Sequence, residues 1–222
     1  MYGMMFELIY PICGGSSVYY LGKTPTPALL LGAMAQVKPY LVITVPLVME
    51  KIFKSKVAPV VNKPLMKVIC KIPGLNQVIL NKVREELVNA FGGEFYEVII
   101  GGAAFNKEVE AFFKRMEFPF TVGYGMTECA PIITYDDWKE EKLYSCGKAA
   151  PNMEVRIASA DPASIPGEIQ VKGANVMLGY YKNEEATAES FTEDGWMRTG
   201  DMGVIDEDGY LFIKGRCKSM IL

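Results

Sequence analysis

Thr121-Val122-Gly123-Tyr124-Gly125-Met126-Thr127-Glu128 stands where the texture of the chain changes. Before it, strand-like and helix-like stretches alternate: Ser17–Leu21, a helix over about Pro27–Val37, Tyr40–Thr44, a helix from about Pro46, helices within 62–91, Tyr96–Ile100, a helix from Asn106, and Thr121–Tyr124. Such alternation predicts an α/β layer with a mainly parallel sheet flanked by helices. Asn106 is placed to cap its helix, with Glu108 and Glu110 in a first turn where the helix dipole favours anions. Beyond Pro131 the runs become short and alternating: Val155–Ala158, Gly167–Lys172, Gly203–Ile205 and Tyr210–Lys214. Turn signals at Asp161-Pro162, Pro166-Gly167, Asp194-Gly195 and Asp208-Gly209 separate them, and the pattern predicts a small antiparallel, barrel-like β subdomain.

The chain has 222 residues, half of them hydrophobic and 22% charged, with a net charge of −3. That is ample material for a packed core and is far from a disordered composition. It contains no histidine, which excludes Ser-His-Asp and Cys-His nucleophiles, His-ligated zinc and an imidazole pH switch. The five cysteines form no CxxC pair or metal-ligand spacing, so the expected compartment is the reducing cytoplasm. MYGMMFELIYPICGGSS lacks a positive region ahead of its apolar run and does not read as a signal peptide. Thr24–Met49 carries Lys38 as its sole charge, but Pro25, Pro27, Pro39 and Pro46 cut it into pieces too short to span a bilayer.

Charge is segregated. From Lys51 to Arg84 there are eight basic residues and no acidic one. Lys63, Lys67 and Lys71 recur every four residues beside Leu65, Met66, Val68, Ile69 and Ile72, a lysine stripe next to an apolar face. Two readings stand: the solvated side of a surface helix, or peripheral contact with an anionic membrane. The stretch is lysine-rich with little aromatic interleaving in an acidic chain, which argues against nucleic acid.

Four strings can carry chemistry. Val98-Ile99-Ile100-Gly101-Gly102-Ala103-Ala104-Phe105 runs an apolar strand into paired glycines, which would let a flat ring approach the backbone. In Gly123–Glu128 an aromatic between glycines can face a base, while a hydroxyl and a carboxylate follow within reach of phosphate and Mg²⁺. Trp196-Met197-Arg198-Thr199-Gly200-Asp201 offers a carboxylate at an expected strand end, suited to ribose hydroxyls. Gly215-Arg216-Cys217-Lys218 brings an arginine suited to phosphate. Taken singly, each string reads equally as a turn.

In this order, with Gly167-Glu168-Ile169-Gln170-Val171-Lys172-Gly173 and Met177-Leu178-Gly179-Tyr180-Tyr181, the strings resemble the adenylate-forming superfamily of acyl-CoA synthetases, luciferases and adenylation domains. GYGMTECAP and VYYLGKTPTP most resemble long-chain fatty acyl-CoA ligases. The resemblance implies a reaction of ATP, Mg²⁺, a fatty acid and coenzyme A through an acyl-adenylate. It implies that Gly102 and Ala103 line the adenine and acyl-carboxylate pocket and that Tyr124, followed by Gly125, stacks on adenine. Thr127 would contact the α-phosphate, Glu128 would hold Mg²⁺, Asp201 the ribose, and Arg216 the ribose and phosphate. Lys218 would fall at a hinge. The implied organisation is an α/β portion over 1–130 holding the acyl pocket and adenine site, a β-rich portion over 131–214, and a hinge over 215–222 leading to a lid.

Two family features are not in the sequence: the Ser/Thr/Gly-rich phosphate loop ending in Pro-Lys-Gly, expected upstream of Met1, and the lid lysine, expected beyond Leu222. The chain therefore reads as an internal, inactive piece of a longer ligase. Phe6–Gly15 matches the helix along the acyl pocket, and Glu7 is its only charge, which favours a plain carboxylic acid over an amino acid. The alternatives are a non-catalytic nucleotide- or lipid-binding module of the same fold, or an aryl or luciferase-like adenylating enzyme.

Overall fold

The computed structural model describes residues 2–24, 26–61 and 75–217. Lys63, Lys67, Lys71 and Lys218 lie outside the described residues, and with them the proposed membrane stripe and hinge. The chain divides into two compact units, Tyr10–Phe120 and Met1–Ile9 with Thr121–Leu222. No described helix is long and apolar enough to cross a membrane.

In the Tyr10–Phe120 unit, the Pro27–Val37 helix starts where Thr26 accepts the Leu29 N–H at 3.3 Å and Pro27 supplies a preset φ. It ends at Lys38, whose left-handed backbone returns its N–H to the Met34 carbonyl at 2.8 Å. Strand β1 (Leu41–Thr44) then leads into the Pro46–Ile52 helix, which buries Pro46, Met49 and Ile52 at three-residue spacing. The Leu75–Ala90 helix buries Leu80, Val83 and Leu87 on one stripe. Strand β2 (Glu97–Ile100) pairs in parallel with β1, Val42 opposite Val98 and Thr44 opposite Ile100. The sheet order is β1-β2-β3, and the chain leaves the unit through β3 (Phe120–Val122). Asn106 caps the Lys107–Arg115 helix as expected, its Oδ1 accepting from the Glu108 and Val109 N–H groups at 3.0 and 3.1 Å. The alternation over Ser17–Leu21 does not become a strand. That stretch is irregular, and Tyr19 and Tyr20 lie exposed, so no apolar face is there to be covered.

The core of this unit is aromatic. Phe113, fully buried, has ring centroids of Phe53, Phe105, Phe118 and Phe120 within 5.1–6.0 Å, tilted or edge-on as aromatic quadrupoles prefer.

In the other unit, β4 (Tyr124–Gly125), β5 (Ile132–Tyr135) and β6 (Lys148–Ala149) form one antiparallel sheet. A second antiparallel sheet has the order β10-β9-β8-β7, from β7 (Met153–Ala158), β8 (Gly167–Gly173), β9 (Met197–Ile205) and β10 (Leu211–Arg216). Among the described residues the expected barrel-like closure is not formed, and both sheets stay open. β6 has only two residues, and its short ladder is with β5, so the sheets meet at a corner where Leu211 exchanges bonds with Cys146 and Gly147. Ile133, Met153, Ile169, Val171, Met197 and Leu211 fill the core between them.

Replacing Phe113 by Ala removes the ring at the centre of its cluster and leaves a cavity. The expected loss is about 3–5 kcal/mol, measured as a lowered urea midpoint with unchanged slope. A loss no larger than that of a surface Phe→Ala change would contradict this packing.

Candidate functional site

The Gly123–Pro131 segment is set by a close approach of backbone to backbone. A Cβ built on Gly125 would lie 2.8 Å from the Pro131 carbonyl carbon and closer still to its oxygen, so no side chain fits there. The next N–H, of Met126, donates to that same oxygen at 2.8 Å. The chain then makes one 3₁₀ turn, Thr127–Cys129, closed by the Cys129 N–H on the Met126 carbonyl at 3.0 Å. This turn separates its side chains by environment. Tyr124 and Cys129 enter the core, Thr127 is exposed, and Glu128 is half-buried.

Asp201 lies within β9, not at the strand end expected from its sequence. The register explains its prominence. Gln170 pairs with Arg198 and Glu168 with Met202, so Ile169 alone faces Thr199, Gly200 and Asp201. This is a bulge, and Gly200 provides the positive φ of 72° that it needs. The Thr199 hydroxyl satisfies the disrupted ladder, donating to the Ile169 carbonyl at 2.8 Å and accepting the Asp201 N–H at 3.1 Å. On β10 a second irregularity between Ile213 and Gly215 brings Arg216 opposite Asp201.

The two segments meet at the Asp201 carboxylate. The Tyr124 hydroxyl donates to Oδ2 at 2.7 Å, and Arg216 Nε stands 3.4 Å from Oδ1. Burial above all pushes the Tyr124 phenol far above its ordinary range; a hydrogen bond with Thr199 pulls it down, and the hydrogen bond and charge of Asp201 push it up again. Tyr124 is therefore a permanent donor at this position. The Arg216 side chain is 79% exposed, so its ion pair is worth only about 0–1 kcal/mol. A ligand hydroxyl can displace it at little cost.

Glu128 is held by residues that carried no role in the sequence reading. The Tyr180 hydroxyl donates to Oε1 at 2.9 Å, and the Met177 N–H donates to the Glu128 carbonyl at 2.7 Å. Tyr180 stood in a quoted string, but only its hydrogen bond singles it out. Thr199 was likewise visible in Thr-Gly-Asp, but the bulge that it satisfies depends on register.

Tyr124, Gly125, Thr127, Glu128, Asp201 and Arg216 thus belong to one unit. Gly102 and Ala103 belong to the other, in an exposed loop at the carboxyl end of β2, where the Gly101 N–H donates to the Thr44 carbonyl at 3.1 Å. Among the described residues no three of Cys, Asp and Glu gather as a metal cluster. A single carboxylate suits Mg²⁺, which is commonly bound by one or two carboxylates with substrate phosphates completing its shell.

A family model described as AMP-binding enzyme matches residues 1–181. The chain is 32% identical over 213 residues to the long-chain-fatty-acid–CoA ligase FadD15 of Mycobacterium bovis, covering 87% of this chain and 34% of that protein. It is 41% identical over 140 residues to 4-coumarate–CoA ligase-like 4 of Oryza sativa, covering 58% and 25%. A malonyl-CoA ligase ternary product complex with methylmalonyl-CoA and AMP bound superposes with a TM-score of 0.73 at 27% identity, covering 96% of this chain and 41% of that one. The chain spans about a quarter to a third of the length of these curated relatives.

Cys129 tests the placement of the turn. Burial, then the charge of Glu128, push its thiol up to about 12. A raised pKa keeps the thiol neutral through pH 7–9, so folded protein treated with iodoacetamide at pH 8 should be alkylated at exposed Cys13 and spared at Cys129. Labelling of Cys129 before unfolding, read by peptide mass spectrometry, would contradict this geometry.

Proposed function

The chain belongs to the family of AMP-binding enzymes, and from that premise we propose that it forms the nucleotide-contacting part of an ATP-dependent acid–CoA ligase. In the first step a carboxylate oxygen attacks the α-phosphorus of ATP. The bond to pyrophosphate breaks and an acyl-adenylate forms. In the second step the thiolate of coenzyme A attacks the acyl carbon, AMP departs and a thioester remains. This chemistry requires positioning and charge stabilisation rather than an imidazole, in keeping with a chain without histidine.

The observation that carries the reading is the convergence of Tyr124 and Arg216 on the Asp201 carboxylate in the same unit as Thr127 and Glu128. Asp201 would receive the ribose hydroxyls, displacing Arg216 toward the phosphate. Only 8% of Tyr124 is exposed, so this unit offers a base a narrow strip of ring, and holding Asp201 is the larger part of its task. Thr127, exposed on the turn, would donate to the α-phosphate. Glu128 would share Mg²⁺ with the phosphates, and the ion would neutralise charge as pyrophosphate leaves.

A long-chain fatty acid is the proposed substrate. Similarity to FadD15 across most of the chain supports it, and Phe6–Gly15 with Glu7 as its sole charge supports a plain carboxylic acid over an amino acid. Coumarate and malonate are the acids named for the other relatives, so the proposal is discriminated by ATP–pyrophosphate exchange on the full-length protein. Exchange stimulated by palmitate over 4-coumarate and malonate is expected, and the reverse order would overturn the substrate assignment.

Within the 222-residue chain, Asp201→Asn should weaken AMP about 10-fold, the scale of a lost hydrogen bond to a charged acceptor. Binding of 2′,3′-dideoxy-AMP should not change. Calorimetric titration reads both, and equal affinity of the unsubstituted chain for the two nucleotides would overturn the ribose role.

A further inference from the structure

One short segment, Asn175–Tyr180, attaches to the Thr127–Cys129 turn at several points. Asn175 Nδ2 donates to the Cys129 carbonyl at 2.6 Å and to the Ile132 carbonyl at 2.9 Å. The Met177 N–H takes the Glu128 carbonyl, and the Tyr180 hydroxyl takes Glu128 Oε1. The segment is itself anchored beyond the turn. The Tyr180 N–H donates to Thr187 Oγ1 at 2.9 Å, and that hydroxyl donates to the Asn183 carbonyl at 2.8 Å. Among the described residues Glu128 Oε2 accepts no hydrogen bond, so the carboxylate is held by one oxygen and presents the other.

We propose that Tyr180 is a positioning residue, whose hydroxyl fixes the rotation of the Glu128 carboxylate so that its second oxygen meets a divalent cation shared with nucleotide phosphate. This rests on the reading of Glu128 given above and adds a residue to it. The physical need is plain. A half-buried carboxylate on a long side chain has several rotamers, and a ligand that supplies a single oxygen to Mg²⁺ gains affinity when its orientation is set before the metal arrives. Tyr180 suits the task because its hydroxyl reaches Glu128 Oε1 while its own N–H is pinned on Thr187 Oγ1. The adjacent Tyr181 is the internal contrast. It is 88% exposed, and its ring meets the Lys182 ammonium at 5.3 Å.

The experiment titrates Mn²⁺ into the 222-residue chain with saturating AMP and counts free metal by electron paramagnetic resonance. Tyr180→Phe should weaken Mn²⁺ about 10-fold, at the low end for loss of a partner that orients a metal ligand. Its thermal midpoint and metal-free AMP affinity should stay unchanged. Tyr181→Phe should match the unsubstituted chain. Glu128→Gln should weaken Mn²⁺ at least as much as Tyr180→Phe, and the double variant should bind like Glu128→Gln alone, because the hydroxyl acts through that carboxylate. If Glu128→Gln weakens Mn²⁺ and Tyr180→Phe does not, the positioning role is overturned and the reading of Glu128 stands. If the unsubstituted chain binds no Mn²⁺, or Glu128→Gln leaves binding unchanged, both are overturned together.

Discussion

Gly125 passes the Pro131 carbonyl at a distance that no side chain tolerates, and much of the candidate site follows from that approach. It pins the two ends of a seven-residue excursion together, with the Met126 N–H on the same oxygen. Within so short an excursion one 3₁₀ turn fits, and the turn decides which side chains face the core and which face water. Tyr124 and Cys129 join the apolar cluster of their unit. Thr127 and Glu128 are left at the surface, where a phosphate and its counter-ion can be met.

The second half of the site is built from irregularities in an otherwise regular sheet. A flawless ladder through β8, β9 and β10 would give every carboxylate and guanidinium the spacing of the pleat. The bulge at Thr199–Asp201 and the shift before Gly215 instead bring Asp201 and Arg216 to face each other. Thr199 makes the first bulge affordable in hydrogen bonds, since its hydroxyl serves both the Ile169 carbonyl and the Asp201 N–H. Tyr124 then links turn to sheet through a single bond to Asp201. Holding the carboxylate by a buried phenol on one oxygen and an exposed arginine on the other leaves one firm contact and one exchangeable contact. In the proposed ribose site, that asymmetry would let a hydroxyl group replace the arginine while the phenol keeps the carboxylate in place.

Local signals made much of this legible. The cap at Asn106, the helix opened by Thr26 and Pro27, and the strands on either side of the Pro166-Gly167 and Asp208-Gly209 turns are written in residue types that act within a few positions. The motif order singled out Tyr124, Glu128, Asp201 and Arg216 as candidates, and all four fall in one unit. Long-range geometry was not legible. Whether the late strands close into a barrel depends on how many residues β6 contributes, and it contributes two. Ser17–Leu21 alternates like a strand, but a strand also needs a neighbour and a face to bury. Asp201 reads as a strand end because Thr-Gly-Asp looks like a turn, whereas pairing with β8 carries the strand through it. The contact of Tyr180 with Glu128 joins residues 52 positions apart and has no local signature.

The central claim is that Asp201, fixed by Tyr124, is the point to which the ribose of a nucleotide binds. A crystal structure of the chain soaked or grown with AMP tests it most directly. The account predicts ribose hydroxyl oxygens within hydrogen-bond distance of Asp201, the Tyr124 hydroxyl still on Oδ2, and Arg216 moved off Oδ1. AMP bound elsewhere on the chain, with the Arg216–Asp201 pair intact, would contradict it.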